Sequence, residues 1–192
     1  LPDGCIDAIV VFDPGSAPVV RASPLMDAPT IVDVPCGRRL VGARLFPGTR
    51  IDPAALRDAF RSLGGDPDAL FARTAEFASL SRDAEEVLDA LARDVRTVDA
   101  AARSLGVSLR TLQRVAVAET GRAPDFWRRL SRARRAARAV ADGVPPVAAA
   151  ADAGFADQAH LTREFRRWFG VATRRIRSDP EFAATVRASG YG

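Results

Sequence analysis

The chain has 192 residues, 47% of them hydrophobic, and a formal net charge of +4, enough for one or two domains with a real core. No apolar run approaches the roughly 20 residues that cross a bilayer, and no signal-peptide pattern is present. Two cysteines and one histidine are too few for a disulfide framework or a zinc site, so no metal or cofactor is expected.

The charge is unevenly distributed. Residues 1–96 carry 11 Arg against 15 acidic residues, and residues 97–192 carry 17 Arg against 9. A basic half joined to an acidic half is what a nucleic-acid-binding module beside something else produces. Every basic residue is Arg, the better fork for phosphate and guanine. A GC-rich coding sequence has the same effect, so the absence of Lys carries little weight. The chain begins at Leu1 and its single Met is Met26, which reads as a fragment or a processed product from a reducing cytoplasm.

Residues 1–50 read as β. Ile6–Phe12, Val19–Arg21, Thr30–Val34 and Leu40–Phe46 are apolar or β-branched, separated by turn residues such as Asp13-Pro14-Gly15 and Pro47-Gly48. Four short strands are few for a closed barrel. They suggest the tail of a larger β domain, with edges exposed or paired with another copy. From Pro53 the pattern turns helical. Leu56, Phe60 and Leu63 face inward until Gly64-Gly65, Pro67–Leu80 predicts a second helix, and Ser81 introduces a third with Val87, Leu88 and Leu91.

Residues 97–120 read as helix, glycine turn, helix. Ser108 suits the N-cap of the second helix, and Arg110, Thr111, Gln113 and Arg114 occupy its exposed side. Pro124–Asp142 follows as one long helix with an apolar stripe of Phe126, Leu130, Ala133, Ala137 and Val140. Arg128, Arg129, Arg132, Arg134, Arg135 and Arg138 cover the rest, and for half of them a solvated face is the expected reading. A helix of about 20 residues is about 30 Å long, close to the ~34 Å between successive major-groove faces of B-DNA.

A second helix, glycine turn, helix unit follows. Val147–Ala153 is short and Ala-rich, Gly154 makes the turn, and Asp157 caps a helix running to about Phe169. Leu161, Phe165 and Trp168 recur at i, i+4 and i+7, leaving Gln158, Thr162, Arg163, Arg166 and Arg167 mostly on other faces. Gln and Arg pair bidentately with adenine and guanine edges. The two units align: Ala102 and Gly106 match Ala150 and Gly154 at an offset of 48, and Leu112, Arg114 and Gly121 match Leu161, Arg163 and Gly170 at 49.

On Leu112-Gln113-Arg114, Gly121-Arg122-Ala123-Pro124, Gly154-Phe155-Ala156-Asp157-Gln158 and Leu161-Thr162-Arg163-Glu164-Phe165 through Phe169-Gly170, residues 81–177 resemble the DNA-binding domain of AraC/XylS-family transcriptional regulators. The resemblance implies a mainly α fold. Residues 81–192 would form a seven-helix domain with two helix-turn-helix motifs joined by a long linker helix. Residues 1–80 would be a partial regulatory domain, a small β segment over 1–50 followed by connecting helices over 53–80. Leu1-Pro2-Asp3-Gly4-Cys5-Ile6-Asp7 is similar to a segment of the β-rich regulatory domain of some members, which implies a truncated, cupin-like sensor.

Carried over by position, the base-edge readers are Arg110, Gln113 and Arg114 in the first motif and Gln158, Thr162 and Arg163 in the second. His160 and Arg166 or Arg167 would lie near the backbone, and Ser108, Thr111 and Asp157 complete the expected DNA-contacting set. Three positions depart from the family pattern: Ala116 replaces a large aromatic, Ala159 a polar side chain, and Thr173 a Pro. The implied partners are double-stranded DNA, RNA polymerase, a second copy of the chain and an unidentified small-molecule effector, with no membrane. An enzymatic role is not expected. Pro35-Cys36-Gly37-Arg38 has a faint likeness to the Pro-Cys-His-Arg motif of DNA alkyl-transfer repair proteins. It lacks the His that would activate the thiol. A protein-binding module is the remaining alternative, and the +8 half and the duplicated motif argue against it.

Overall fold

A computed structural model describes residues 1–93, 97–188 and 190–192. Its N-terminal unit is built on three antiparallel strands in the order β2-β1-β3: β1 (Ile6–Phe12), β2 (Val19–Ala22) and β3 (Arg39–Leu45). Val10 pairs with Val20 on one side and Val41 on the other. The alternation along β1 sends Ala8 and Val10 to one face, where Leu56, Phe60, Leu70 and Phe77 cover them. Those residues come from α1 (Pro53–Ser62), α2 (Pro67–Ala72) and the turn after it. Asp52 and Asp66 cap the two helices by accepting backbone N–H bonds, and each helix opens on a proline.

Two expectations fail in this unit. Thr30–Val34 is not a strand. It crosses the surface between β2 and β3, with Ile31 92% and Val32 67% exposed. β-branched residues favour strands only where a pleated, half-buried surface exists to fit, and here Pro29 and Pro35 bracket a segment with no ladder partner. The predicted helix over Pro67–Leu80 stops at Ala72 and gives way to a 3₁₀ turn (Thr74–Glu76) and a short strand, β5 (Ala78–Ser79). Thr74 Oγ1 donates to the Phe71 carbonyl at 2.7 Å, and β5 pairs antiparallel with β4 (Arg50–Ile51). A tertiary ladder thus overrides the local helical pattern.

Beyond Ser81, which caps it, the chain is helical: α3 (Arg82–Ala92), α4 (Val98–Ser104), α5 (Leu109–Thr120), α6 (Pro124–Ala141), α7 (Pro146–Asp152), α8 (Gln158–Phe169), α9 (Thr173–Ser178) and α10 (Pro180–Arg187). Among the described residues this makes eight helices, the last two divided at Asp179, which ends one and caps the next. A single core runs through them and includes Leu91, Leu112, Trp127, Leu130, Leu161, Phe165, Trp168, Ile176 and Tyr191. Phe126 stands edge-on to both Trp127 and Trp168, with ring centroids 5.2 and 5.4 Å away.

Of the α6 arginines, half of which were expected to be solvated, two are held by the C-terminal segment. Arg134 is only 3% exposed and donates to the Ala188 carbonyl at 3.0 Å. Arg138 reaches the carbonyls of Gly190 and Gly192. Burial of Arg134, with Arg138 beside it, pulls its pKa below the usual guanidinium value. The C-terminal segment lies against this side of α6, and its carbonyls are the partners that the helical pattern did not reveal.

The N-terminal unit sits against the helical domain through polar and backbone contacts. Tyr191 N–H donates to the Asp3 carbonyl at 2.7 Å, and Tyr191 Oη to the Leu88 carbonyl at 2.8 Å. Gly4, at φ +80°, lies so close to Tyr191 and Trp127 that a Cβ would come within 2.9 Å of each. Arg50 donates to the carbonyls of Ala118 and Glu119 at the end of α5. Asp27 pairs with Arg122 at 3.1 Å, and Pro29 packs on Gly170. The segment between β2 and β3 therefore touches the residues that terminate both α5 and α8.

Candidate nucleic-acid interface

The two helix-turn-helix units repeat in geometry as they do in sequence. Helices α4 and α7 are seven residues each, and α5 and α8 twelve each. Gly106 and Gly154 turn at φ +68° and +71°, and Gly121 and Gly170 end the second helices at φ +69° and +72°. Those left-handed conformations favour glycine. Ser108 Oγ accepts from Thr111 N–H at 3.0 Å and Asp157 Oδ1 from His160 N–H at 2.6 Å, so both second helices start on a side-chain cap.

What the second helices bury differs. α8 buries Leu161, Phe165, Trp168 and Phe169, with Glu164 among them. α5 buries only Leu112 and Ala116. Each large apolar side chain is worth about 1.5–3 kcal/mol when buried, so α8 is the more firmly seated. A chain of two hydrogen bonds ties the end of α5 to α6. Trp127 Nε1 donates to Thr120 Oγ1 at 2.8 Å, and Thr120 Oγ1 donates to the Ala116 carbonyl at 2.7 Å.

Opposite these buried faces stand the arginines. Arg110, Gln113 and Arg114 are exposed on α5, and Gln158, Arg163, Arg166 and Arg167 on α8. Among the described residues, Arg110, Arg114, Arg163 and Arg166 make no ion pair or side-chain hydrogen bond. Several other arginines of the domain are paired, as in Arg93–Asp89, Arg128–Asp125, Arg175–Asp179 and Arg187–Asp142. Arg167 lies over the Trp168 ring at 5.3 Å.

The remaining expected contacts are already engaged within the protein. Ser108 and Asp157 cap their helices. Thr111 is half-buried, its Oγ1 2.9 Å from Ser108 Oγ. Thr162 Oγ1 donates to the Gln158 carbonyl at 2.9 Å. His160 is half-buried, edge-on to Phe155, and its Nδ1 accepts from Ala156 N–H at 3.4 Å.

Two features were missed from the sequence. Glu164, 7% exposed, accepts from Arg129 at 3.0 Å and from Trp168 Nε1 at 3.2 Å, which ties α8 to α6. The spacing of Glu164 and Trp168 at i, i+4 hinted at a pair, but the Arg129 partner lies 35 residues away. Arg174 and Arg177 of α9 line a cleft with Gln158, and the run Thr-Arg-Arg-Ile-Arg-Ser was the available signal.

Two twelve-residue helices that present unpaired arginines, each preceded by a short helix and a glycine turn, define a helix-turn-helix domain doubled within one chain. A helix-turn-helix domain family matches the chain at residues 101–179, from within α4 to Asp179. No curated protein and no solved structure matches the chain. Residues 101–179 are thus similar to a helix-turn-helix domain, which supports a DNA-binding role in the regulation of transcription. None of the helices formed by the described residues is long and apolar enough to cross a membrane.

Proposed function

We propose that this chain is a sequence-specific, DNA-binding transcription regulator of the AraC/XylS type, which reads two adjacent major-groove segments with α5 and α8. The observation that carries the reading is the set of four unpartnered guanidinium groups, Arg110, Arg114, Arg163 and Arg166, on the exposed sides of the two second helices. Guanidinium forks kept free of carboxylates are available for guanine O6/N7 and for phosphate. Arg110, Gln113 and Arg114 read bases from α5, and Gln158 and Arg163 from α8. Arg166 and Arg167 contact the backbone. The caps Ser108 and Asp157 orient their helices, and their neighbours Thr111, His160 and Thr162 flank the duplex.

The linker α6 has 18 residues, hence about 27 Å of rise. Both readers therefore act on one side of a duplex from within one chain. The contacts of Arg50, Asp27 and Pro29 with the ends of α5 and α8 support a regulatory role for the N-terminal unit, with a small-molecule effector acting through it. β2 and β3 are open edges among the described residues, and Val19 and Leu40 on them are exposed. That arrangement supports a homodimer. RNA polymerase is the partner an activator of this type would meet in the cytoplasm. The role proposed is regulatory and not enzymatic: the exposed Cys36 has beside it Arg38, which pairs with Asp13, a poor setting for an alkyl-accepting thiol.

The test is discrimination between duplexes. Genomic fragments selected by binding supply the specific site, and a shuffled duplex the control. Arg163→Ala should cost about 1–3 kcal/mol on the selected site and relax base preference locally, with little change on the control. Equal losses on both duplexes would overturn the assignment of α8 as a base reader. Binding must also weaken linearly in log[salt], as phosphate contacts require.

A further inference from the structure

The two proposed readers leave one pair of free cations in the domain without a role. A cleft of about 300 Å³ lies between the starts of α7, α8 and α9, walled by Pro146, Gln158, Thr173, Arg174, Arg177 and Ser178. No carboxylate is among these residues. Arg174 and Arg177 are exposed and stand at i, i+3, so they share one side of α9. The other side is fixed by burial of Thr173 and Ile176.

Pairing along α9 is selective. Arg175, which lies between the two in sequence, is held 2.8 Å from Asp179. Among the described residues, Arg174 and Arg177 make no ion pair or side-chain hydrogen bond. Their position relative to α8 is also fixed. Only Gly170, Val171 and Ala172 separate the two helices, and Ile176 packs in the core that holds Phe165, Trp168 and Phe169. Two uncompensated guanidinium groups thus stand at a set place beside Gln158, the first residue of α8.

In a helix-turn-helix unit the second helix turns its N-terminal residues to the base edges, while the first crosses the backbone. The cleft brings Gln158 of the second helix together with Pro146, which opens the first. A strand of the duplex entered by α8 would therefore run past it. We propose that Arg174 and Arg177 clamp two backbone phosphates bordering the groove that α8 reads, which makes α9 a third DNA-contacting element. The inference rests on the proposed DNA-reading role of α8. Guanidinium forks pair with phosphate oxygens, and the exposed Ser178 in the same cleft adds a hydroxyl donor of the kind that meets them. Phosphates are alike on every sequence, so the clamp supplies affinity and register without base preference. An acidic protein surface would also suit two free guanidinium groups. The duplex is favoured because the reading helix itself draws it to Gln158.

The measurement is the salt dependence of duplex binding by the full chain. Each neutralised phosphate contributes about −0.9 to the slope of log K against log[salt]. Arg174→Gln combined with Arg177→Gln should therefore flatten the slope by about 1.8 and weaken binding roughly tenfold near about 0.1 M salt. The loss should be equal on the selected site and on the shuffled duplex, with base preference unchanged. Arg57→Gln, exposed on α1 of the N-terminal unit, should leave the slope as it is. Circular dichroism checks the fold. If the double variant does not fold, each single variant replaces it, with an expected flattening of about 0.9. An unchanged slope in the folded variant would overturn the proposal. So would a loss confined to the selected site, which would make the pair base readers. Unchanged DNA binding with weakened binding to RNA polymerase would likewise overturn it and assign the pair to a protein partner. Failure of the DNA-reading role appears elsewhere, as absence of duplex discrimination in the parent chain.

Discussion

Replacing Glu164 tests what holds the second reading helix to its support. The carboxylate is buried and accepts from Trp168 Nε1 at 3.2 Å and from Arg129 at 3.0 Å. Trp168 is only 1% exposed, so Glu164→Ala leaves its indole N–H with no partner. A buried donor left in that state costs about 1–3 kcal/mol. The Arg129 side chain is 33% exposed and can turn to water or to Asp125, so its share is screened and adds at most about 1 kcal/mol. The expected total is about 1–4 kcal/mol. Glu164→Gln keeps a carbonyl oxygen for the indole and loses the charge, and should cost about 1 kcal/mol. Urea denaturation followed by circular dichroism measures both, with a lowered midpoint and an unchanged slope. Equal costs for the two variants would refute the argument, because the indole bond would then contribute nothing separable from the charge.

Four further outcomes follow from the geometry. Gly121→Ala meets open space at a φ of +69° and should cost about 1 kcal/mol from backbone strain alone. Gly4→Ala adds a collision with Tyr191 and Trp127 to the same strain, so it should cost more and expose the N-terminal unit to limited proteolysis; equal costs would refute the close approach. Burial, with Asp3 next in weight, pushes the Cys5 thiol up to about 11, whereas Cys36 is exposed. Iodoacetamide at pH 8 should therefore label Cys36 alone by mass spectrometry, and prompt labelling of Cys5 in the folded chain would contradict its burial. Finally, α8 with its aromatic core should exchange amide hydrogens more slowly than α5. Faster exchange over Gly154–Gly170 than over Ser108–Thr120 would reverse that ranking.

The helical half was legible because its signals were local and agreed with one another. Ser81, Ser108 and Asp157 are caps that satisfy specific N–H groups. Gly106, Gly121, Gly154 and Gly170 are all in the left-handed region. The apolar spacing of Leu161, Phe165 and Trp168 marked the buried side of α8 correctly. What escaped was whatever depends on a distant partner. Thr30–Val34 has the composition of a strand and no strand to pair with. The helix predicted past Ala72 yields to a ladder with residues 50–51. The partner of Arg134 was hidden because nothing near it in sequence announces Ala188 as its acceptor. Among the expected contact residues, the exposed arginines could be read from helical phase. The engagement of Thr111, His160 and Thr162 depends on hydrogen bonds within each turn that phase alone does not specify.

The shared core of the two units also bears on the architecture of an operator. Both proposed readers are attached to one 18-residue helix, where Phe126 meets Trp168 of α8 and Trp127 Nε1 donates to Thr120 Oγ1 of α5. Neither reader can shift along the duplex without breaking that packing. Insertion of a single base pair between two half-sites advances one by about 3.4 Å and rotates it by about 34°. No flexible joint lies between the readers to absorb such a change. On the proposed reading, a chain built this way would recognise the phase between two short words as strictly as it recognises their letters.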